Sequence, residues 1–242
     1  MGKRILDIVL SSAILFIFSP VIIICLIAIY GQDRQWPLYS PLRVGKNGVP
    51  FRMHKLRTMV VGADKSKIDT TGLNDSRITR LGHLLRRYKL DELPQLWNIL
   101  RGQMSLVGPR PQIDREVKLY TEMEKGLLAV RPGITDFSSI VFSDLGEIVA
   151  SAPDPNIAYN QLVRPWKSRL GLFYIAHSSV PLDIALITLT AIAIISKRRA
   201  FAGIVSLLTK LNADPELIEV CKRNKPLVPT APLGSNEIVT SR

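Results

Sequence analysis

The sequence predicts an α/β fold, mostly helical with a small amount of sheet, held at a membrane. Three patterns carry that expectation: an uncharged run of 22 residues from Ile8 to Ile29, leucines at helical spacing on both sides of residue 90, and one short alternating stretch from Phe51 to Met59. With 242 residues the chain can bury one sizeable core but not two ordinary domains with linkers. A single domain with appendages follows.

The apolar run has the length of a membrane helix. A cleaved signal peptide shares its basic start, Lys3 and Arg4, but no small-x-small pattern closes the run before Tyr30. A simple span should carry unequal basic charge on its two sides, yet Lys3 and Arg4 precede the run while Arg34, Arg43, Lys46, Arg52, Lys55 and Arg57 follow it. Both ends therefore read as cytoplasmic. Ser19-Pro20 lies at the midpoint, where proline deletes a backbone hydrogen bond and a kink or break is expected. A re-entrant helix-break-helix and a kinked true span both accommodate the proline.

Beyond the anchor, residues 31–50 are rich in Pro and Gly and read as irregular connection. Phe51 to Met59 is the extended candidate, and its period of two would set Phe51, Met53, Lys55 and Arg57 on one side, two cations together. Val60 to Asp75 reads as a surface loop. Leu81, Leu84, Leu85 and Tyr88 mark an amphipathic helix, and Leu93, Leu96, Trp97 and Leu100 mark a second, with Asp91-Glu92 and then Pro94 at its start. Gly108-Pro109-Arg110-Pro111 and Arg131-Pro132-Gly133-Ile134-Thr135 read as rigid turns, with residues 113–127 between them helical. Residues 156–177 also read as helix. Ile184 to Ile195 is an uncharged run of 12 residues, about 18 Å as a helix and too short to span. Its flanking Lys197-Arg198-Arg199 suits the anionic headgroups of membrane lipid. The tail from Phe201 holds one weak helix, Ala213 to Arg223, and a Pro-rich end expected to be mobile.

The balance of 32 basic against 20 acidic residues gives a formal charge of +12 and points to an anionic partner. Two cysteines fit a reducing compartment and cannot form a metal cluster. No HExxH, Walker loop or GxSxG elbow is present, which argues against metallopeptidase, nucleotide hydrolase and serine hydrolase chemistry. No nucleic-acid motif or aromatic stacking pattern accompanies the basic residues, and nucleic acid is not an expected partner. Between Asp75 and Pro111 stand seven Arg or Lys residues but only two acidic ones, Asp91 and Glu92. Carboxylates in such company should have lowered pKa values and serve as nucleophile or metal ligand. The plainer alternative is that Asp91 is a helix N-cap and the arginines are surface charge.

Five strings occur in one order: Lys55-Leu56-Arg57-Thr58-Met59, Asp75 through Gly82, Leu90 through Asn98, Met104 through Pro111, and Arg131 through Thr135. Together they resemble the bacterial sugar transferase family, the small monotopic polyprenyl-phosphate phosphoglycosyl transferases, from the anchor to about residue 197. The resemblance implies transfer of a sugar 1-phosphate from a UDP-sugar to polyprenyl phosphate with release of UMP, as the first membrane step of polysaccharide or glycan assembly. It implies Mg²⁺, held by Glu92 or Asp91, and a catalytic pair in which Asp91 is the nucleophile of a covalent phosphosugar intermediate and Glu92 a ligand or orienting group. It also implies a re-entrant helix broken at Ser19-Pro20, on the cytoplasmic face of a bacterial inner membrane.

Arg110, between two prolines, is the leading phosphate clamp, followed by Lys55 and Arg57 and then Arg131. Asp183 matches an acidic position of the family, although a helix cap would explain it. Three residues depart from the family pattern: Lys89 where Ser or Thr is usual, Ser76 where proline is common, and Asp136 in place of a glycine. Asp136 lies in a region that the resemblance links to sugar choice, which leaves the donor sugar open. The expected organisation is an anchor over 1–33, a phosphoglycosyl transferase domain over 34–200 with interfacial amphipathic helices, and an extension over 201–242. Downstream glycosyltransferases or a second copy of the chain are further expected partners. The rival reading is a non-catalytic membrane scaffold or binding protein of the same fold; a two-span protein using the acidic pair for another lipid-phosphate reaction is a third.

Overall fold

The computed structural model describes residues 2–66, 75–150 and 152–240. Of the loop expected over Val60–Asp75, residues 67–74 lie outside the described residues. The order of elements is α1 (Gly2–Asp33), β1 (Leu38–Tyr39), β2 (Leu42–Val44), β3 (Pro50–Arg52), β4 (Lys55–Leu56), α2 (Arg80–Arg87), α3 (Gln95–Leu100), β5 (Ser105–Val107), α4 (Asp114–Val117) and β6 (Gly133–Thr135). Then come α5 (Phe137–Val141), α6 (Leu145–Ile148), α7 (Pro155–Ala158), α8 (Arg164–His177), α9 (Val180–Ile195), α10 (Lys197–Lys210) and α11 (Pro215–Lys222). The sheet is minimal among the described residues: antiparallel pairs β1–β4 and β2–β3, and a parallel pair β5–β6.

α1 is one continuous helix through Pro20, uninterrupted where a break was expected. Its local chemistry explains why the helix survives. Pro20 has no N–H to give the Phe16 carbonyl, and the Ser19 hydroxyl donates to that oxygen instead at 2.8 Å. The first turn is pinned to the body: Lys3 Nζ donates to Asp183 Oδ2 at 2.7 Å, to the Tyr174 hydroxyl and to the Val107 carbonyl. Arg4 donates to the carbonyls of Ile99 and Leu100 at the end of α3, and Asp7 accepts from Ser105 Oγ and the Leu106 amide. The last turn is pinned too, since Asp33 accepts a two-pronged ion pair from Arg57 at 2.6 and 2.7 Å. Between these fastenings, Leu10, Ile14 and Leu15 touch the main core, while Val21, Cys25, Leu26 and Ile29 pack with Leu56 and Leu85. The opposite face shows Phe16, Ile17, Ile24 and Ile27 to the outside. Both ends of one apolar helix are thus held by the same folded body.

The main core is helical. Phe137, Ile140, Leu170, Tyr174, Leu186, Ile204 and Leu208 are fully buried and join α5, α8, α9 and α10. The helix read over 156–177 is present as α7, one wide turn at Tyr159–Val163 and α8. The wide turn falls where Pro165 can no longer donate to the preceding turn. Residues 113–127 are less helical than expected, reduced to α4 and a 3₁₀ stretch at Glu124–Ala129. A buried ion pair, Arg164 to Glu124 Oε2 at 2.5 Å with Ser168 donating to Oε1 at 2.7 Å, fixes that stretch to α8.

The C-terminal part departs most from expectation. The boundary at 200/201 falls inside α10, a helix missed because the apolar run before it ends at Ile195 and the charges Lys197-Arg198-Arg199 looked like its terminus. Ser196 instead caps a new helix, accepting from the Arg199 amide, and Ala200, Ile204 and Leu208 enter the core. The Pro-rich end lies along the body: the Thr230 amide donates to the Gln161 carbonyl, Gln161 Nε2 to the Val239 carbonyl, and Thr121 Oγ1 to the Leu233 carbonyl.

Candidate active site at the acidic pair

Asp91 and Glu92 stand on a 3₁₀ turn, Leu90–Glu92, between α2 and α3. α2 begins at Thr79, whose hydroxyl accepts from the Gly82 amide at 2.9 Å. It packs hard on the segment after β4: a Cβ on Gly82 would sit 2.0 Å from the Thr58 carbonyl oxygen. Glycine is required there. Arg86 Nε, from the last turn, donates to Thr58 Oγ1 at 2.9 Å. Lys89 then takes a left-handed conformation, φ 55°, and turns the chain into the acidic pair.

A second unit delivers Arg110. Gly108 N donates to the Thr135 carbonyl at the end of β6, and Gly133 N, at its start, donates to the Pro109 carbonyl, tying the turn after β5 back onto β6. The two backbones approach so closely that a Cβ on Gly133 would lie 2.1 Å from Gly108 N. The two Pro-Gly turns read separately in the sequence are therefore one device, from which Arg110 projects.

These elements enclose a cavity of about 830 Å³, within the range of small-molecule sites. Lys55, Asp91, Glu92 and Arg110 line it together, with Arg43, Arg86, Lys89 and Lys167 also on its wall. Glu92 Oε1 accepts from Arg110 in a very short contact and from Lys55 Nζ at 3.4 Å. Asp91 differs. It is 7% exposed, and among the described residues its carboxylate has no hydrogen bond or ion pair, while α3 has Pro94 at its N-cap position with no side-chain cap. The N-cap explanation of Asp91 is thereby excluded.

The two carboxyls titrate apart. Burial would push Glu92 upward, but Arg110, Lys55 and Lys89 outweigh it and hold the group well below the usual carboxylate range. For Asp91 burial dominates, Lys55 offsets it only in part, and Glu92 adds repulsion, so its pKa is raised. The sequence-based expectation of two lowered values holds for Glu92 and is reversed for Asp91. The cause is that the cations lie on its neighbour. Of a paired set, Glu92 is the permanent anion and Asp91 the more basic, unpartnered oxygen donor.

Other expected site residues part company. Lys55 and Arg57 do not project together, because β4 ends at Leu56, between them: Lys55 reaches Glu92, whereas the Arg57 guanidinium, though it borders the cavity, is engaged by Asp33 and the Trp36 carbonyl. Arg131 is exposed, donates to the Gly102 carbonyl at 2.7 Å and does not line the cavity. Asp183 is buried beneath Lys3 and accepts from the Tyr174 hydroxyl at 2.5 Å, so it fastens the anchor. Its helix is capped by Ser179. Asp136 caps α5, accepting from the Ser139 amide at 2.7 Å, and thereby sets Ser139, Phe142 and Ser143 on the cavity wall.

Sequence reasoning missed Arg43 and Lys167. Arg43 lies in a segment that looked irregular but forms β2, and Lys167 looked like an ordinary charge on α8. Arg43 stands between Leu42 and Val44 and Lys167 follows Trp166, a setting that many surface cations share.

The model of one family, described as bacterial sugar transferase, matches residues 1–197. The chain belongs to that family. It is 37% identical over 141 residues to a UDP-glucose:undecaprenyl-phosphate glucose-1-phosphate transferase of Klebsiella pneumoniae, a match covering 57% of this chain and 30% of that protein. It is 43% identical over 110 residues to a putative undecaprenyl-phosphate N-acetylgalactosaminyl 1-phosphate transferase of Bacillus subtilis, covering 46% of this chain and 62% of the relative. Exopolysaccharide production protein ExoY of Rhizobium meliloti is 36% identical over 150 residues, 56% of this chain and 66% of that one. The chain thus spans about a third of the length of the Klebsiella protein and about two thirds of ExoY.

Proposed function

We propose that this chain transfers a sugar 1-phosphate from a UDP-sugar to a polyprenyl phosphate, releasing UMP, through a phosphosugar carried on Asp91. The observation that carries the reading is the buried Asp91 carboxylate, free of partners and open to a cationic cavity. In the first half-reaction an Asp91 oxygen attacks the sugar-bearing phosphorus, the bond to the bridging oxygen breaks, and UMP leaves. In the second, an oxygen of polyprenyl phosphate attacks the same phosphorus and frees the carboxylate. Arg110 and Lys55, already gathered by Glu92, neutralise the diphosphate so that one anion can approach another. Burial of Asp91 raises its basicity and keeps water from competing.

The chemistry of the donor set suits Mg²⁺: the unpartnered Asp91 carboxylate and Glu92 beside it would hold the ion, with phosphate oxygens of the bound substrate as further ligands. When bound there, Mg²⁺ would supply charge neutralisation at the diphosphate and the leaving phosphate. Among the described residues no group of three or more His, Cys, Asp or Glu could hold an ion by protein ligands alone, which fits an ion that arrives with its nucleotide.

In this mechanism the anchor is monotopic. A helix of 32 residues measures about 48 Å if straight, and both of its ends are fastened to one body, which supports an anchor that stays on one side of a bacterial inner membrane; the basic residues at both ends favour the cytoplasmic side. The exposed Phe16, Ile17, Ile24 and Ile27, together with Ile195 and Lys197 to Arg199 at the α9–α10 junction, would meet lipid and its anionic headgroups. That placement brings a lipid phosphate and a soluble nucleotide to one carboxylate.

The test offers the purified protein Mg²⁺, polyprenyl phosphate and a panel of UDP-sugars and follows UMP and lipid product together. Wild type should form both and Asp91→Asn neither. UMP formation by Asp91→Asn at the wild-type rate would refute the assignment. Labelling cysteines placed at residues 2 and 35 from each side of the membrane should find both on the cytoplasmic side; opposite sides would refute the anchor.

A further inference from the structure

Among the described residues, three cations on the cavity wall make neither a side-chain hydrogen bond nor an ion pair: Arg43, Lys89 and Lys167. Lys89 flanks the acidic pair on its own loop. Arg43 and Lys167 reach the cavity from distant elements, β2 and α8. Arg43 Nε is buried without an acceptor, and Lys167 Nζ stands 5.5 Å from the centre of the Tyr159 ring. The charge of Arg110 bears on both of them, and Glu92 sits on Arg110 and Lys55 but on neither Arg43 nor Lys167. A fold that gathers like charges from separate elements and leaves two of them unpaired needs an anion there.

We propose that Arg43 and Lys167, together with Arg110, form a single phosphomonoester subsite that holds the phosphate of departing UMP and afterwards the phosphate of the incoming lipid. The inference rests on the transferase reading and assigns phosphate-binding residues within it. Both displacements occur at one phosphorus with the Asp91 oxygen on one side. In the first, the Asp91–phosphorus bond forms as the bond to the UMP oxygen breaks, and UMP carries away the electron pair. In the second, a lipid phosphate oxygen forms the new bond and the Asp91–phosphorus bond breaks, returning the pair to the carboxylate. In-line geometry puts the departing oxygen of the first step and the entering oxygen of the second on the same side, opposite Asp91. UMP and polyprenyl phosphate present the same group, and UMP has left before the lipid needs the place.

The experiment uses the full chain in lipid nanodiscs and measures binding without turnover of UMP, of a short-chain polyprenyl phosphate, and of uridine as the control lacking phosphate. Lys167→Met and Arg43→Gln should each weaken UMP and polyprenyl phosphate by a similar factor, roughly tenfold to a hundredfold for a lost charge-assisted contact. Uridine should be unaffected, and Lys167→Arg should restore both phosphates. Weakening of only one of the two, or equal weakening of uridine, overturns the shared subsite. If wild type binds both phosphates and the variants bind them unchanged, the subsite alone fails. If wild type binds neither, the transferase reading fails with it.

Discussion

Fastening of the apolar helix by Lys3 and Asp183 can be tested by a double-mutant cycle. Asp183 is 1% exposed and accepts from both Lys3 Nζ at 2.7 Å and the Tyr174 hydroxyl at 2.5 Å. Asp183→Asn keeps an oxygen for Tyr174, so the loss is confined to the charge on Lys3. A hydrogen bond between ionised groups contributes about 1.5–3 kcal/mol. Lys3 is 38% exposed, and solvent screening reduces the figure to about 1.5–2 kcal/mol. Lys3→Met removes the same contact from the other side and leaves a buried carboxylate behind, so it should cost at least as much. The double variant should then lose about 1.5–2 kcal/mol less than the two single losses added together. Denaturant unfolding in detergent micelles, followed by tryptophan fluorescence, reads the four stabilities. Additivity within about 0.5 kcal/mol would show that the pair does not hold α1, and the two-ended attachment would lose one end.

Three further outcomes follow from the same geometry. Glu124→Gln leaves Arg164 buried without its carboxylate and should cost about 3–5 kcal/mol in the same unfolding assay, far more than a surface charge change; a loss below about 1 kcal/mol would contradict the buried pair. Burial, with the repulsion of Arg110, pulls the Lys167 ammonium down from 10.5 to about 8, Asp136 opposing; Tyr159 faces it as a ring. Its charge is present below that pH and lost above it, so UMP affinity should fall as pH rises through about 8, and Lys167→Arg should remove this limb. Between about 8 and 10.5 the unfolded chain binds more protons than the folded one, so the same residue makes stability rise with pH. On the acid side the raised Asp91 pKa means that its nucleophilic anion is lost as pH falls, at a pH above the ordinary aspartate range. The acid limb of kcat/KM in the transferase assay should therefore lie above about 4, and a limb at or below that value would contradict the burial effect.

What the sequence made legible was chemistry in short strings and helices with strong spacing. The acidic pair ahead of α3, the Arg110 turn and the extent of α1 were readable because each is specified by neighbouring residues. Convergence was not. The strands β5 and β6 are three residues each, too short for alternation to register, and their pairing depends on Gly108 meeting Gly133 across 24 intervening residues. Arg43 and Lys167 become site residues only when β2 and α8 meet around Arg110. Arg57 misled for the opposite reason: a period of two put it beside Lys55, but β4 ends at Leu56 and the carboxylate of Asp33 took Arg57 to the anchor. The pKa of Asp91 was misjudged because composition counts charges along the chain, whereas burial and the pairing of Glu92 with Arg110 and Lys55 decide which carboxyl receives them.

Intact-mass spectrometry of the protein incubated with a UDP-sugar and Mg²⁺, in the absence of lipid acceptor, reaches the covalent step itself. Wild type should gain the mass of one sugar phosphate, mapped by proteolysis to the peptide bearing Asp91, and should lose it when polyprenyl phosphate is added; Asp91→Asn should gain nothing. An adduct on any other residue, or lipid product formed at full rate with no adduct on Asp91, would contradict a transfer that passes through this carboxylate.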